Sequence, residues 1–282
     1  TMTRRGRNLQ AVESVLLDTL VARSATIAAE HTMSLHTPTD ALAEVRARLS
    51  RARRVFVLTG AGVSAESGVP TFRGGGQSAV WQGLPFDVIS SAAMLERDLP
   101  AVWAWFDHRR DLLQHLQPNP AHRVLAGWQD RFDLFTLATQ NVDDLHAQAG
   151  ARNVLELHGN IWRARCTRCQ ARISLRAADD TERPPICRAC GAPMRPDVVL
   201  FGEMLPGHVF EPAALGAAQA DLCFVIGTSA LVYPAMQLPE IALQAGAYTV
   251  EINPECTPFS DYCDAALAGP ASEILKAVTS DE

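Results

Sequence analysis

The stretch that decides the fold is Val55-Phe56-Val57-Leu58-Thr59-Gly60-Ala61-Gly62-Val63-Ser64-Ala65-Glu66-Ser67-Gly68. Four consecutive apolar residues are too short for a helix but suit a strand buried on both faces, as in a parallel sheet. The run stops at a Gly-x-Gly turn and passes into helical spacing, which is how a strand feeds a helix in a dinucleotide site. Glycines there let backbone N–H groups approach a pyrophosphate. The match to Gly-x-Gly-x-x-Gly is incomplete, because Ala65 holds the third glycine's place. No acidic residue ends a second strand about 20 residues on. An ordinary tight strand-to-helix turn is the alternative.

Similar apolar runs recur at Phe132 to Ala138, Leu222 to Ile226 and Tyr248 to Ile252. Each is followed by small or polar residues and then by helical periodicity. This alternation predicts a doubly wound α/β fold with a parallel sheet, with ligands at the carboxyl ends of its strands. Before the first strand, Pro38, Thr39 and Asp40 offer cap chemistry for a helix at about Ala41 to Arg51. Residues 1–36 read as a separate N-terminal helical extension. Arg4, Arg5 and Arg7 precede an amphipathic stretch, but Glu13, Asp18 and Glu30 oppose a transit peptide, and Met33 is a second possible start.

Two stretches interrupt the alternation between residues 37 and 282. Residues 74 to about 117 begin with glycines and continue with a helical, aromatic pattern around Trp103, Trp105 and Phe106. Residues 163 to about 196 are rich in Cys, Arg and Pro and have too little apolar periodicity for a core. Cys166-x-x-Cys169 and Cys187-x-x-Cys190 supply what that segment lacks. Each pair turns two thiolates toward one ion, and the two pairs complete a tetrahedral, structural zinc site. Cys223, Cys256 and Cys263 read as buried core thiols.

The 282 residues are 48% hydrophobic and 20% charged, with a net charge of −6. That composition excludes bulk disorder and gives no global basic field for nucleic acid or anionic membrane. No apolar run approaches the ~18–20 residues that span a bilayer. Lys276 is the only lysine, beside many arginines, which reads as a coding bias. The thiol-rich pattern favours zinc in a reducing compartment, and the expected location is cytoplasmic.

At the later strand ends stand Thr139-Gln140-Asn141-Val142-Asp143, Leu157-His158-Gly159, Gly227-Thr228-Ser229 and Asn253-Pro254-Glu255. Amides and a carboxylate can bind ribose or a carboxamide, and a loop histidine beside them can act as a general base. Together with Gly60 to Gly74, the two CxxC pairs and Phe201-Gly202-Glu203, they resemble the sirtuins, NAD-dependent protein lysine deacylases. The motifs occur in that family's order over about Thr37 to Glu282.

The resemblance implies a large Rossmann-like domain, a small zinc-and-helix module, and a cleft for NAD and an acyl-lysine peptide. It assigns Gly60, Ala61, Gly62, Ser64, Glu66, Phe72 and Arg73 to an NAD loop. Gln140, Asn141 and Asp143 match the ribose and nicotinamide pocket, with Asn141 and Asp143 also catalytic, and His158 matches the catalytic base. Gly227, Thr228, Ser229, Asn253, Glu255 and Ala271 match the adenosine side. Val199, Phe201, Gly202, Glu203, Val232 and Tyr233 match segments that hold a substrate peptide as an added β-strand. The implied products are nicotinamide, free lysine and O-acyl-ADP-ribose. Acetyl is the expected acyl group, with other chains possible.

The sirtuin subgroup that removes succinyl or malonyl groups carries Tyr-x-x-Arg, and this sequence is similar to it but reads Phe106-x-x-Arg109. Arg109 can pair with an acyl carboxylate. Phe106 offers no hydroxyl, so neutral acyl chains are expected to be favoured. Two rival readings remain at this level. One is mono-ADP-ribosyl transfer on the same scaffold, and the other is a zinc-ribbon nucleic-acid binder, which the net charge opposes.

Overall fold

The computed structural model describes residues 38–70, 80–176 and 182–280. The N-terminal extension and the loop bearing Phe72 and Arg73 lie outside them. The chain divides into Thr1–Asp40 and Ala41–Glu282. Of the first unit, only the opening turn of the helix Pro38–Arg51 is described. That helix starts three residues before the expected Ala41, because Pro38 fits the first helical position, where no N–H bond is lost.

The strands in chain order are β1 (Arg54–Thr59), β2 (Val80–Trp81), β3 (Leu84–Pro85), β4 (Leu134–Thr139), β5 (Leu155–Glu156), β6 (Gly159–Cys166), β7 (Arg172–Ser174), β8 (Met194–Val198), β9 (Leu222–Ile226), β10 (Tyr248–Asn253) and β11 (Ala265–Ala268). Six form one sheet in the order β11-β10-β9-β1-β4-β5, and every pairing in it is parallel. From β1 the chain adds β4 and β5 on one side, then returns to add β9, β10 and β11 on the other. The order therefore reverses beside β1, which opens a crevice at the strands' carboxyl ends.

Strand alternation sorts the core into two layers. Val55 and Val57 face one side with Leu125, Trp128, Phe224 and Leu275. Phe56 and Leu58 face the other with Ala217, Cys223, Val225 and Leu238. Helices Pro120–Trp128 and Ala271–Thr279 supply the first layer, and Gly207–Gln219 and Gln237–Gln244 the second. A Cβ on Gly216 would stand 2.5 Å from the Thr136 hydroxyl, so that glycine lets its helix lie close on the sheet.

The two interrupting stretches fold as expected in kind. The first holds the β2–β3 pair and a helix at Leu99–Leu113, whose first turn is capped by the Asp98 carboxylate accepting from the Ala101 N–H at 3.0 Å. The second is a three-stranded antiparallel sheet, β7-β6-β8. Its core is small: Ala164, Cys166, Cys187, Ala192 and Met194 beneath Trp103 of the long helix. Cys223 is buried and Cys263 partly so, but Cys256 is exposed on the loop after β10, contrary to its reading as a core thiol.

Candidate active site

Four strands of the parallel sheet end in residues that touch one another. The Gln140 amide, after β4, donates to the Thr228 hydroxyl, after β9, at 3.0 Å. Asn253, ending β10, donates to the Thr228 carbonyl at 3.3 Å. Asn141 donates to the Gly60 carbonyl at 3.0 Å and to Ser64 Oγ at 3.1 Å. The motifs separated in sequence thus meet at one edge of the sheet. Ser229 is half-buried beside them, Ala271 opens the helix Ala271–Thr279, and Glu255 is exposed.

The glycines of the first turn serve a purpose the sequence reading did not assign. The N–H groups of Gly60 and Gly62 donate to the carbonyls of Ile226 and Gly227 at 2.9 and 2.7 Å, so these two are not donors for a phosphate. They are glycines because the two turns touch backbone to backbone. A Cβ on Gly62 would stand 2.6 Å from Gly227 Cα, and one on Gly227 would stand 2.4 Å from the Val63 nitrogen. Gly227 also has φ +60°, in the region glycine adopts without strain.

His158 sits half-buried on the loop after β5. Its Nδ1 lies 2.8 Å from the Gln140 carbonyl, which accepts only, so Nδ1 carries the proton and Nε2 holds the lone pair. Burial lowers the pKa below the ordinary histidine value and outweighs the opposing bond to Gln140. The imidazole is therefore neutral at pH 7 and ready to accept a proton at Nε2.

Asp143 is buried, and that burial raises its pKa against the bonds from the Leu145 N–H and Ser64. Ser64 Oγ donates to its carboxylate at 2.7 Å. Behind Ser64 lies a pair of histidines overlooked in the sequence. His122 Nδ1 accepts from the Asn119 N–H at 3.3 Å, so its Nε2–H points to Ser64 Oγ, also at 3.3 Å. His146 Nε2 lies 2.9 Å from the Thr59 hydroxyl, which donates onward to Thr139. Burial pushes His122 down to about 4 and His146 to about 3, so both are neutral. The only sequence sign of His122 was a capping pattern, Asn119-Pro120-Ala121-His122.

The expected substrate-side residues divide into two groups. Phe201, Val232 and Tyr233 are exposed apolar side chains, as a peptide-holding edge requires, and Gly202 and Val199 lie beside Phe201 and His158. The Val199 N–H donates to the His158 carbonyl at 2.9 Å. Glu203 is not an open contact. Its carboxylate accepts both arms of the Arg195 guanidinium and the Leu200 N–H at 2.8 Å, so it braces the loop. The Glu66 carboxylate is likewise engaged, accepting from the Ser272 N–H at 2.9 Å and from its hydroxyl at the start of the helix Ala271–Thr279. Phe106 is buried among Ile161, Val198 and Leu200. Arg109 lies over the Trp105 ring at 5.6 Å; burial lowers its pKa to about 10 although Asp143 opposes the shift, so it stays charged.

The sulfurs of Cys166, Cys169, Cys187 and Cys190 all lie within 4.8 Å of one another, with two pairs at 3.4 and 3.6 Å. A zinc ion with Zn–S near 2.3 Å needs sulfurs about 3.8 Å apart, so one tetrahedral ion fits. The N–H groups of Arg168 and Cys169 donate to Cys166 Sγ at 3.3 and 3.4 Å, which favours the thiolate.

Residues 60–234 match the model of the Sir2 family. An NAD-dependent protein deacylase of Thermus thermophilus is 46% identical over 239 residues, covering 83% of this chain and 92% of that protein. NAD-dependent protein deacylase 1 of Pseudomonas aeruginosa is 42% identical, covering 80% and 93%. Among solved structures, a Sir2 homologue in complex with NAD superposes with TM-score 0.78 at 39% identity, covering 84% of this chain and 91% of its own. A Sir2 protein bound to acetylated peptide gives 0.75 at 28% identity, covering 84% and 96%.

Proposed function

We propose, from the premise that this chain belongs to the Sir2 family, that it removes acyl groups from protein lysines in an NAD-dependent reaction. NAD, when bound, would supply a ribose carbon that the acyl oxygen attacks as nicotinamide leaves, and with one water consumed it would carry the acyl group away as O-acyl-ADP-ribose, freeing the lysine. The observation that carries the reading is the fixed tautomer of His158. Its Nδ1 is held by the Gln140 carbonyl, so Nε2 is the atom that takes a proton from a ribose hydroxyl. Gln140 joins that histidine to Thr228, so one residue ties the base to the nucleotide-binding edge.

Asn141 and Asp143 orient the ribose and nicotinamide end. Both are fixed through Ser64, so their aim is set before ligand arrives, which is where preorganisation helps catalysis most. Gly227, Thr228, Ser229, Asn253, Glu255 and Ala271 form the adenosine side; Phe72 and Arg73, assigned to the NAD loop by the resemblance, lie outside the described residues. Acyl-lysine peptides lie along Val199, Phe201 and Gly202 on one lip and Val232 and Tyr233 on the other. The four cysteines hold one structural zinc, which suits a reducing compartment such as the cytoplasm. Among the described residues no helix is long and apolar enough to cross a membrane.

For the acyl group, Arg109 favours a carboxylate and apolar Phe106 favours a neutral chain. The expected outcome is efficient deacetylation with weaker desuccinylation.

Mass spectrometry of acetyl-, succinyl- and longer acyl-peptides, incubated with and without NAD, tests the reading. NAD-dependent loss of acyl with O-acyl-ADP-ribose formed supports it. Labelled protein without O-acyl-ADP-ribose would mean ADP-ribosyl transfer instead. His158→Ala should lower turnover roughly 10²–10⁴-fold with zinc content unchanged.

A further inference from the structure

Asp143 lies on a turn whose backbone is held from the zinc-bearing sheet. The Val142 carbonyl accepts from the Ile161 N–H at 2.9 Å. The Asp143 carbonyl accepts from the Trp162 indole N–H at 3.0 Å. The Asp144 carboxylate accepts from the Asn160 amide at 3.0 Å and from the Arg176 guanidinium at 2.9 Å. Three consecutive residues of the candidate site are therefore fastened by β6 and by the segment just past β7.

The fastening is layered. The Arg176 guanidinium lies 4.1 Å from the centre of the Trp162 ring, covering the indole whose N–H holds Asp143. The Leu175 N–H donates to the Trp162 carbonyl at 2.8 Å, which keeps Arg176 beside that ring. Asp144 itself has φ +74°, a conformation that side chains other than glycine's adopt rarely and that persists when surroundings impose it. Asp144 caps no helix with its side chain, so its carboxylate has these two partners as its evident purpose.

We infer that Trp162 and Arg176, acting on Asp143 through its carbonyl and through Asp144, are positioning residues for the cofactor pocket. Among the described residues the Asp143 carboxylate accepts hydrogen bonds from Ser64 and the Leu145 N–H, both close to it in the fold, and feels the charge of Arg109. Its direction also depends on the backbone that Trp162 and Asp144 hold. This rests on the proposed function in one respect, that Asp143 contacts NAD. It goes beyond that function in giving the zinc-bearing sheet a direct mechanical part in NAD binding.

The test uses the zinc-loaded full chain and an acetyl-peptide, and compares KM for NAD with KM for peptide. Trp162→Phe keeps the ring and removes the N–H. Asp144→Gly keeps the backbone conformation and removes the carboxylate, and Arg176→Gln removes the charge at a site that is 39% exposed. Each should raise KM for NAD about three- to tenfold, the worth of one hydrogen bond or ion pair at a partly buried site. Peptide KM and zinc content should not change, and Arg176→Lys should recover part of the loss. Placed in an Asp143→Asn background, the same changes should lose most of their effect, because positioning has nothing left to position. An unchanged KM for NAD in all three variants overturns the inference. So does an equal loss with and without Asp143, which marks a merely structural role. A wild-type protein with no NAD-dependent turnover overturns the proposed function, and this inference with it.

Discussion

The parallel sheet and the cysteine-bearing sheet solve the same problem in opposite ways. The first buries strands on both faces, so Val55, Phe56, Val57 and Leu58 are each 1% exposed or less and apolar contact alone can carry it. The second has a core of a few residues, and its surface is laced with arginine–carboxylate pairs such as Arg163–Glu156 and Arg172–Asp197. Partly buried pairs of that kind lose in desolvation much of what they gain in attraction, so they are weak sources of net stability. The smaller sheet therefore leans on two outside supports: a metal, and Trp103, which lends its ring and donates its Nε1–H to the Met194 carbonyl at 2.9 Å. A region without enough core of its own folds by borrowing.

The largest effect should come from removing the metal. Binding to a structural zinc site is worth roughly 10–16 kcal/mol in isolated fingers, and that energy is folding energy. Cys187→Ser should release zinc, open residues 163–196 to protease and abolish deacylation, while the far-ultraviolet helical signal of the parallel sheet's layers persists. Loss of that signal as well would show the two regions fold as one. Next in size is Trp103→Ala, expected to cost about 3–5 kcal/mol. Urea unfolding followed by zinc release should show this loss in the cysteine sheet before the parallel sheet melts.

Acid should strike the larger region by a different route. His122 and His146 have folded-state values of about 4 and about 3, below the unfolded value near 6.5. The unfolded chain thus binds more protons below pH 6.5, and stability falls as pH drops from there toward 4. The slope is about 1.4 kcal/mol per pH unit for each histidine. The slope should survive in Cys187→Ser and flatten in His146→Asn, measured by urea unfolding at pH 7 and pH 5. The smallest effect concerns the helix Leu99–Leu113, which packs on the cysteine-bearing sheet and on Val142 and Leu145 just past β4. Phe106→Tyr should shift the kcat/KM ratio toward succinyl-lysine several-fold, and Arg109→Met should remove that activity while sparing acetyl-lysine. Equal losses on both substrates would make Arg109 structural.

What was legible in the sequence follows the same division. Strands buried on both faces read as apolar runs, and a CxxC pair is a local signal, so the four longest strands of the parallel sheet and the metal ligands could be found by inspection. The two-residue β5 and the alanine-rich β11 carry no such run; they are strands because β4 and β10 offer them a ladder. The cluster at the strand ends was legible in part, since Gln140, Asn141 and His158 were singled out by sequence and do meet there. It was not legible where two turns meet, because no motif says that Ser64 will face His122, that Glu203 will be taken by Arg195, or that Trp162 will hold Asp143.

The contact of Gly62 with Gly227 has a mechanical consequence. With both turns touching through bare backbone and joined by the Gly62 N–H to the Gly227 carbonyl at 2.7 Å, neither can swing without the other. The edge formed by the turns after β1 and β9 is thus one rigid piece. A side chain at either glycine would force the two strand ends apart together, so a substitution in one turn is felt in the other.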